Sequence, residues 1–271
     1  MTRLGQPFDT KFTTSVVMNV GMPALIITHL SEQHVAFDEL LTMMSAVLVA
    51  ITLFGVLAAI LLKLCKLSLR TYLGAFMFAN VGNVGLPSVQ LAFGDDGLAL
   101  AFGSQIVVIV GLLTVGTWLP QKKLTLKRLV TSPLIYSVVV GLYLMATETR
   151  LPHVVDAPLD ILAGMTIPLM LLSLGHAMAE LQPAGVVRGF LLSLAHLAIV
   201  VPVAALTISL FDLQGLLRGV FIVQSIMPVS VFAYLLAQQY QPSRAPEVAS
   251  FVLCSTLLTV VVLPLVLTYW V

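Results

Sequence analysis

Apolar stretches of about twenty residues recur along the whole chain, separated by short segments that hold most of the polar residues. This length suits a transmembrane helix, whereas the strands of a membrane barrel would be shorter and would alternate polar and apolar residues. The pattern predicts nine spans: 12–30, 40–62, 72–91, 98–119, 133–149, 158–178, 186–210, 216–238 and 247–271. The expected fold is an all-α integral membrane protein with a single membrane domain, residues 1–271.

The third predicted span has polar and helix-breaking residues at its centre, where the sequence reads FANVGNVGLPSV. Gly82, Gly85 and Pro87 together disfavour a continuous helix by about 5 kcal/mol relative to alanine. In a bilayer, the backbone groups freed by a break need protein or a water-filled cavity to bond with. We therefore expect a broken helix here, in which the amides of Asn80 and Asn83 bind those backbone groups or a ligand.

A second interrupted segment lies in the other half of the chain, where the apolar stretch 216–238 contains QSIMPVS. Pro87 and Pro228 are 141 residues apart, and an earlier pair, Pro23 and Pro168, is 145 residues apart. The similar offsets indicate a duplicated unit of five helices, and an odd number of helices inverts the second copy in the membrane. We expect an incomplete first repeat over residues 12–119 and a second repeat over residues 133–271.

Inverted repeats with broken helices at matching positions are typical of secondary transporters, and the breaks point to the substrate site. The amino-terminal end of each half-helix carries about half a positive charge, which favours an anion such as a carboxylate. The simpler explanation is that small residues and proline only allow helices to pack closely. Their occurrence at repeat-related positions in both halves favours the binding site.

Composition and charge indicate the orientation of the chain in the membrane. Hydrophobic residues make up 59% of the 271 residues, and charged residues make up 9%. Eleven of the 13 lysines and arginines fall on one side of the predicted spans, which places the N-terminus in the cytoplasm and the C-terminus outside. No acidic or basic residue lies at the centre of a span, which argues against a buried proton relay and against a voltage sensor.

Other residue types add little chemistry. His196, in the middle of the seventh span, either binds a substrate carboxylate or a coupling proton, or forms a hydrogen bond between buried helices. Cys65 and Cys254 are expected to be unpaired because their settings differ. The sequence has no His-Glu-x-x-His pattern, paired acids or Ser-His spacing of an intramembrane enzyme. We therefore expect no enzyme activity, no catalytic residue, no metal and no cofactor.

Four stretches carry a resemblance to a known family: NVGNVGLP, FGDDGLALAF, GMTIPLMLLSLGHAMAEL and a long stretch that begins IMPVSVFAYLLAQQYQPSR. The match covers nearly the whole chain and resembles the auxin efflux carrier family, which includes bacterial malonate-type and related organic-anion transporters. The resemblance implies ten helices in two inverted five-helix repeats. It also implies a scaffold domain that dimerises and a mobile transport domain in which two broken helices cross.

The resemblance implies roles for individual residues. Asn80 stands where plant auxin carriers have an asparagine at the crossing, Gln105 at the place of a pocket glutamine, and Pro228 at that of the second crossing proline. Ile26 stands where the family has a pocket serine, a departure that weighs against auxin-like specificity. The family has one more helix before the segment that begins near residue 12, so we expect this chain to lack the first helix. Two explanations are left open: the start assigned to the chain is too late, or the chain is a natural nine-helix variant with a reduced scaffold.

We therefore expect a secondary transporter of a small organic anion, such as a mono- or dicarboxylate, with elevator-like alternating access. The alternative is a membrane sensor or regulatory protein that binds a similar anion without moving it. The expected setting is the plasma membrane, here a bacterial inner membrane, with a homodimer formed through scaffold helices and no nucleic acid. Coupling to protons, to sodium or to the membrane potential is left open, although the absence of a central carboxylate favours efflux driven by the membrane potential. The predicted substrate-binding residues are Asn80, Gly82, Asn83, Gly85, Pro87, Gln105, Gln224, Pro228 and Ser230.

Overall fold

The computed structural model describes residues 9–32, 35–121 and 131–271. In these ranges the regular structure is helical, apart from a single bridge between Ala79 and Val229. The α-helices are α1 (Thr10–Val16), α2 (Met22–Ser31), α3 (Phe37–Leu64), α4 (Leu69–Met77), α5 (Leu86–Gly111), α6 (Thr117–Gln121), α7 (Pro133–Ala146), α8 (His153–Gly164), α9 (Thr166–Glu180), α10 (Val186–Phe211), α11 (Gly215–Ser225), α12 (Val231–Tyr240) and α13 (Ala245–Tyr269). The π-helical turns are Val17–Gly21, Val81–Gly85 and Leu112–Gly116.

Six helical stretches in the described part of the chain are long and apolar enough to cross a membrane. They are Phe12–Ser31, Phe37–Leu64, Val81–Gln121, His153–Glu180, Val186–Phe211 and Ala245–Tyr269. The prediction of an all-α membrane protein is confirmed. The count differs from the nine predicted spans because α7 and α11 are short, and because the third and fourth spans run together through Gly94, which kinks the helix at φ 68°.

Each π-helical turn ends on a glycine shortly before a proline: Gly21 before Pro23, Gly85 before Pro87 and Gly116 before Pro120. A proline ring within a helix clashes with the carbonyl four residues earlier and donates no hydrogen bond. The wider turn accommodates this, and the amide of Gly85 reaches back five residues to the carbonyl of Asn80 (3.1 Å). Pro87 therefore lies within a helix, and the break occupies residues 78–80, at the beginning of the stretch that the sequence indicated.

The helices form two groups that pack mainly within themselves. The α2 group contains α1, α2, α7, α8 and α9, in which α2 packs against α7 and α8, and α1 packs against α9. The α10 group contains α3 to α6 and α10 to α13, in which α10 packs against α3 and α13, and α5 packs against α3 and α11. The groups touch where α2 meets α5 and where α9 meets the turn Val81–Gly85.

Two clusters of buried apolar side chains hold the helices together. The larger cluster runs from α2 through α3 and α5 to α11. The smaller cluster lies mainly within the α10 group, where the rings of Phe76 and Phe251 pack 5.1 Å apart, and it also contacts α9. His196 is buried beside both rings, with centroid distances of 5.7 and 6.2 Å, which favours the structural explanation of this histidine. Cys65 and Cys254 are both unpaired, as expected.

A polar cluster holds one end of the α10 group. The carboxylate of Glu247, at the start of α13, accepts hydrogen bonds from the hydroxyl of Tyr72 and from the guanidinium groups of Arg188 and Arg244, each of the latter at 2.9 Å. Tyr72 belongs to α4 and Arg188 to α10. Hydrogen bonds to a charged group are stronger than neutral ones. The cluster therefore holds α4, the helix before the first break, in place against α10 and α13.

Candidate functional site

The two interrupted segments, residues 78–80 and 226–230, pair with each other in the α10 group, and the place where they meet is called the crossing. Ala79 of the first and Val229 of the second form an antiparallel bridge, beside which the amide of Asn80 donates to the carbonyl of Pro228 (2.7 Å). The amide of Val229 donates to the hydroxyl of Ser255 on α13 (3.1 Å). Backbone groups that the breaks free are thus bonded to other parts of the protein, as the membrane interior requires.

Four helix ends meet at this crossing. Helix α4 ends at Met77 and α11 ends at Ser225, whereas the helical segments that follow them begin at Val81 and Val231. Ser230 caps α12, because its hydroxyl accepts a hydrogen bond from an amide of the first turn (3.2 Å). A helix carries partial positive charge at its amino end and partial negative charge at its carboxyl end. The crossing therefore combines two positive and two negative helix ends.

A cavity of about 840 Å³ lies beside the crossing, between the α10 group and the α2 group. The predicted site residues that line it are Asn80, Gly82, Asn83, Gln105 and Ser230. Helix α9, α1 and the π-helical turn after α1 supply the opposite wall. The cavity extends from the crossing to Gln182 and Gln238, both of which are exposed. The structure thus brings five of the nine predicted residues to one cavity.

Two amide side chains in this cavity have polar atoms without a partner. Asn80 is 4% exposed and its Nδ2 atom is not bonded, and Gln105 is 7% exposed and its Oε1 atom is not bonded. The amide of Gln105 packs against Gly82, where an added Cβ would lie 3.1 Å from Nε2. A buried polar group without a partner costs about 1–3 kcal/mol. The hydrogen-bonding capacity of these atoms is therefore unused, and a ligand in the cavity reaches them once the two side chains turn toward it.

The other predicted residues do not line the large cavity. Pro228 contributes its carbonyl oxygen to the crossing, and Pro87 lies buried in the first turn of α5. Gly85 allows the side chain of Gln224 to approach the backbone, since a Cβ at Gly85 would clash with Oε1 of Gln224. Gln224 lines a separate small cavity behind the crossing.

The cavity also has polar lining residues that are absent from the predicted set. Ser173 and Glu180 lie seven residues apart on α9, and Tyr234 and Gln238 follow Ser230 at intervals of four along α12. Residues spaced by four or seven share one face of a helix. The spacing therefore indicates polar faces, but it does not indicate which neighbouring helix each face meets.

Charge is scarce in the cavity. Among its described lining residues, Glu180 is the only one with an acidic or basic side chain. The carboxylate of Glu180 lies 3.1 Å from Nε2 of His176, and its side chain is 60% exposed. An anion at the crossing would therefore contact neutral amide and hydroxyl groups and the amino ends of helices, rather than a cationic side chain.

Comparison with known proteins links the chain to transporters. The family described as membrane transport protein matches residues 117–267, which include the second interrupted segment. An uncharacterized transporter of Methanocaldococcus jannaschii is 26% identical over 249 residues, which cover 85% of this chain and 80% of that protein. The second similarity extends over most of the chain.

Proposed function

This chain belongs to the auxin efflux carrier family of membrane transport proteins, and we propose that it is a secondary transporter of a small organic anion, such as a mono- or dicarboxylate. The observation that carries the proposal is the cavity of about 840 Å³ beside the crossing of two interrupted helices. Family membership supports a transporter rather than an enzyme.

The carboxylate of the substrate binds beside the crossing, near the beginnings of the two following helices. The side-chain amides of Asn80, Asn83 and Gln105 donate hydrogen bonds to it, and Ser230 lies at the start of α12. A hydrogen bond to a charged group contributes about 1.5–3 kcal/mol, and a partly buried helix amino end contributes up to about 2 kcal/mol. A few such contacts suffice for millimolar to micromolar affinity. Without a cationic partner, the anion is also readily released.

Transport proceeds by an elevator-like movement of the α10 group, which carries the crossing, against the α2 group as scaffold. The position of the cavity supports this division, because a ligand there touches both groups. At one end the cavity reaches the exposed residues Gln182 and Gln238. At the other end α2 and α5 are in contact, with the His29 ring 5.8 Å from the Phe102 ring and 3.8 Å from the carboxylate of Asp95. We assign this conformation as open to the cytoplasm.

We also propose that the chain crosses the membrane nine times and that its two halves are inverted repeats. Gly21 and Thr166 each lie two residues before a proline of the first repeat-related pair, and a Cβ at Gly21 would clash with the hydroxyl of Thr166. Contact between equivalent positions supports a two-fold relation between the halves. The two breaks are 150 residues apart when measured between Ala79 and Val229, which pair in the structure. The separation of Pro87 and Pro228 is 141 residues. We expect the homodimer to form through the α2 group.

Uptake into proteoliposomes tests the function. Radiolabelled mono- and dicarboxylates are added outside, under a potassium diffusion potential of either sign. We expect saturable uptake of at least one dicarboxylate that follows the sign of the potential. A dicarboxylate keeps a net negative charge even when one monovalent cation moves with it, and moving one charge through 100 mV is worth about 2.3 kcal/mol. Liposomes with Asn80→Ala protein are the control. Thermal stabilisation by an acid without flux would identify a sensor instead, and neither stabilisation nor flux with any acid would reject an organic anion.

Labelling of Cys65 tests the proposed orientation in a bacterial inner membrane, with the N-terminus in the cytoplasm and the C-terminus outside. Cys65 follows α3 between Lys63 and Lys66 and is exposed, whereas Cys254 is buried. A membrane-impermeant maleimide should label inside-out vesicles and spare intact cells, because basic loops face the cytoplasm. Cys65→Ser should remove the label. Labelling of Cys65 in intact cells would show that the protein has the opposite orientation.

A further inference from the structure

A second, much smaller cavity behind the crossing contains polar groups that the large cavity does not use. Its volume is about 20 Å³, and apolar side chains of α3 form much of its wall. Gln224 and Ser104 also line it, although these residues are only 2% and 0% exposed. Neither Oε1 nor Nε2 of Gln224 has a hydrogen-bond partner, and neither has the hydroxyl of Ser104.

Three unbonded polar atoms around one small cavity indicate an occupant. In native proteins, buried polar groups are bonded to protein, to an enclosed water molecule or to an ion. A cavity of about 20 Å³ has room for one water molecule or one small ion. The remaining lining atoms show which of the two the cavity favours.

Two helices end at this cavity. Met77, the last residue of α4, and Ser225, the last residue of α11, both line it. The last carbonyl groups of a helix lack partners within the helix and carry partial negative charge. In transporters with broken helices, such carboxyl ends and unwound carbonyl groups coordinate sodium. The surroundings therefore favour a cation over water.

We propose that the small cavity binds one sodium ion, which is coupled to the transported anion. The side-chain oxygen of Gln224, once turned from Gly85 toward the cavity, and the hydroxyl of Ser104 supply neutral oxygen ligands, together with carbonyl oxygens at the ends of α4 and α11. Among the described lining residues there is no carboxylate, which disfavours a divalent cation. The coupling rests on the proposed transport function, whereas sodium binding is a separate property that does not require a substrate.

The crossing connects the ion to the anion site. Ala79 lines both cavities, and its neighbour Asn80 lines the large one. A sodium ion that bridges the ends of α4 and α11 stabilises the crossing and so holds Asn80 and Ser230 in position for the anion. Because such coupling is reciprocal, the anion must raise the affinity for sodium by the same factor.

Thermal melts of the purified protein without any organic acid test sodium binding. Sodium, potassium and choline chloride are compared at a constant ionic strength of about 0.15 M. Sodium at ten times its Kd should raise Tm by about 4 °C relative to choline, and potassium should raise it much less. Gln224→Met keeps the side-chain length and removes both polar atoms, so the sodium effect should disappear. Gln105→Met makes the same change in the large cavity, and this variant should still be stabilised by sodium.

Three results would overturn the site. Equal Tm in sodium and choline would assign the cavity to water, and a sodium effect that survives in Gln224→Met would exclude this location. If Gln224→Met does not fold, Ser104→Ala replaces it and should need a several-fold higher sodium concentration for half the effect; an unchanged midpoint counts against the site. Sodium-dependent melts combined with sodium-independent uptake would keep the site and reject the coupling. Absence of all flux would reject the transport function, and the thermal melts would still show whether the small cavity binds sodium.

Discussion

Asn80→Ala is expected to weaken binding of a stabilising organic acid by about 10- to 100-fold, because it removes a hydrogen bond to a charged group. The ligand-free protein should keep its stability. The backbone bond from Asn80 to Pro228 remains in the variant, and the deleted Nδ2 atom has no partner to lose. The measurement is the thermal shift of both proteins across a concentration series of the acid. Loss of affinity with an undiminished ligand-free Tm identifies a residue that contacts the ligand.

Asn19→Ala is the matched control. Asn19 lies in the π-helical turn next to the cavity wall, but it is exposed and bonds only Ser15 one turn earlier. We expect no change in the affinity for the acid. An equal loss in both variants, or a Tm that falls in Asn80→Ala without any ligand, would show that Asn80 supports the crossing rather than the substrate.

Gly189→Val should destabilise the protein by about 3 kcal/mol, because it forces apart two closely packed helices. Gly189 of α10 lies directly against the backbone of α13. An added Cβ would be 2.6 Å from the carbonyl carbon of Ser250 and 2.7 Å from its oxygen. Backbone atoms within a helix cannot move aside singly, and the hydroxyl of Ser250 is itself bonded to the carbonyl of Ala184 (2.7 Å). The measurement is the thermal midpoint in detergent.

Gly175→Val tests whether the effect comes from packing. Gly175 lies within α9, and no atom other than those of its own helix backbone and chain neighbours lies within 4 Å of a Cβ added there. The expected change in stability is within about 0.5 kcal/mol. If both substitutions lower the thermal midpoint equally, the loss of stability comes from placing valine in a membrane helix and not from the contact between α10 and α13.

Helix positions were predictable because the length of an apolar stretch is a local property of the chain. The predicted spans 186–210 and 247–271 correspond closely to α10 and α13. The predicted span 158–178 is in fact two helices that meet at Met165, and the third and fourth spans run together through Gly94. Such kinks and joins are decided by turns and by packing, which hydropathy does not report.

The sequence located the first break only approximately, because the backbone adopts a π-helical turn that helix propensities do not consider. Helix propensity counts Gly82, Gly85 and Pro87 as defects in a regular α-helix. In the structure, the π-helical turn Val81–Gly85 absorbs these defects, and the chain leaves the helix earlier, at residues 78–80. Propensity scales compare α-helix with coil and do not include the π-helical turn.

By itself, the sequence determined a chain of apolar helices, two of which are interrupted near amides and small residues, because these features depend only on neighbouring residues. Only the tertiary structure decided that Ala79 pairs with Val229 and that Asn80 and Gln105 share one cavity while Gln224 lines another. These contacts join residues far apart in the chain, and the face that each helix turns to its neighbour follows from close packing of whole helices. Periodicity reveals that a polar face exists, and packing decides what it meets.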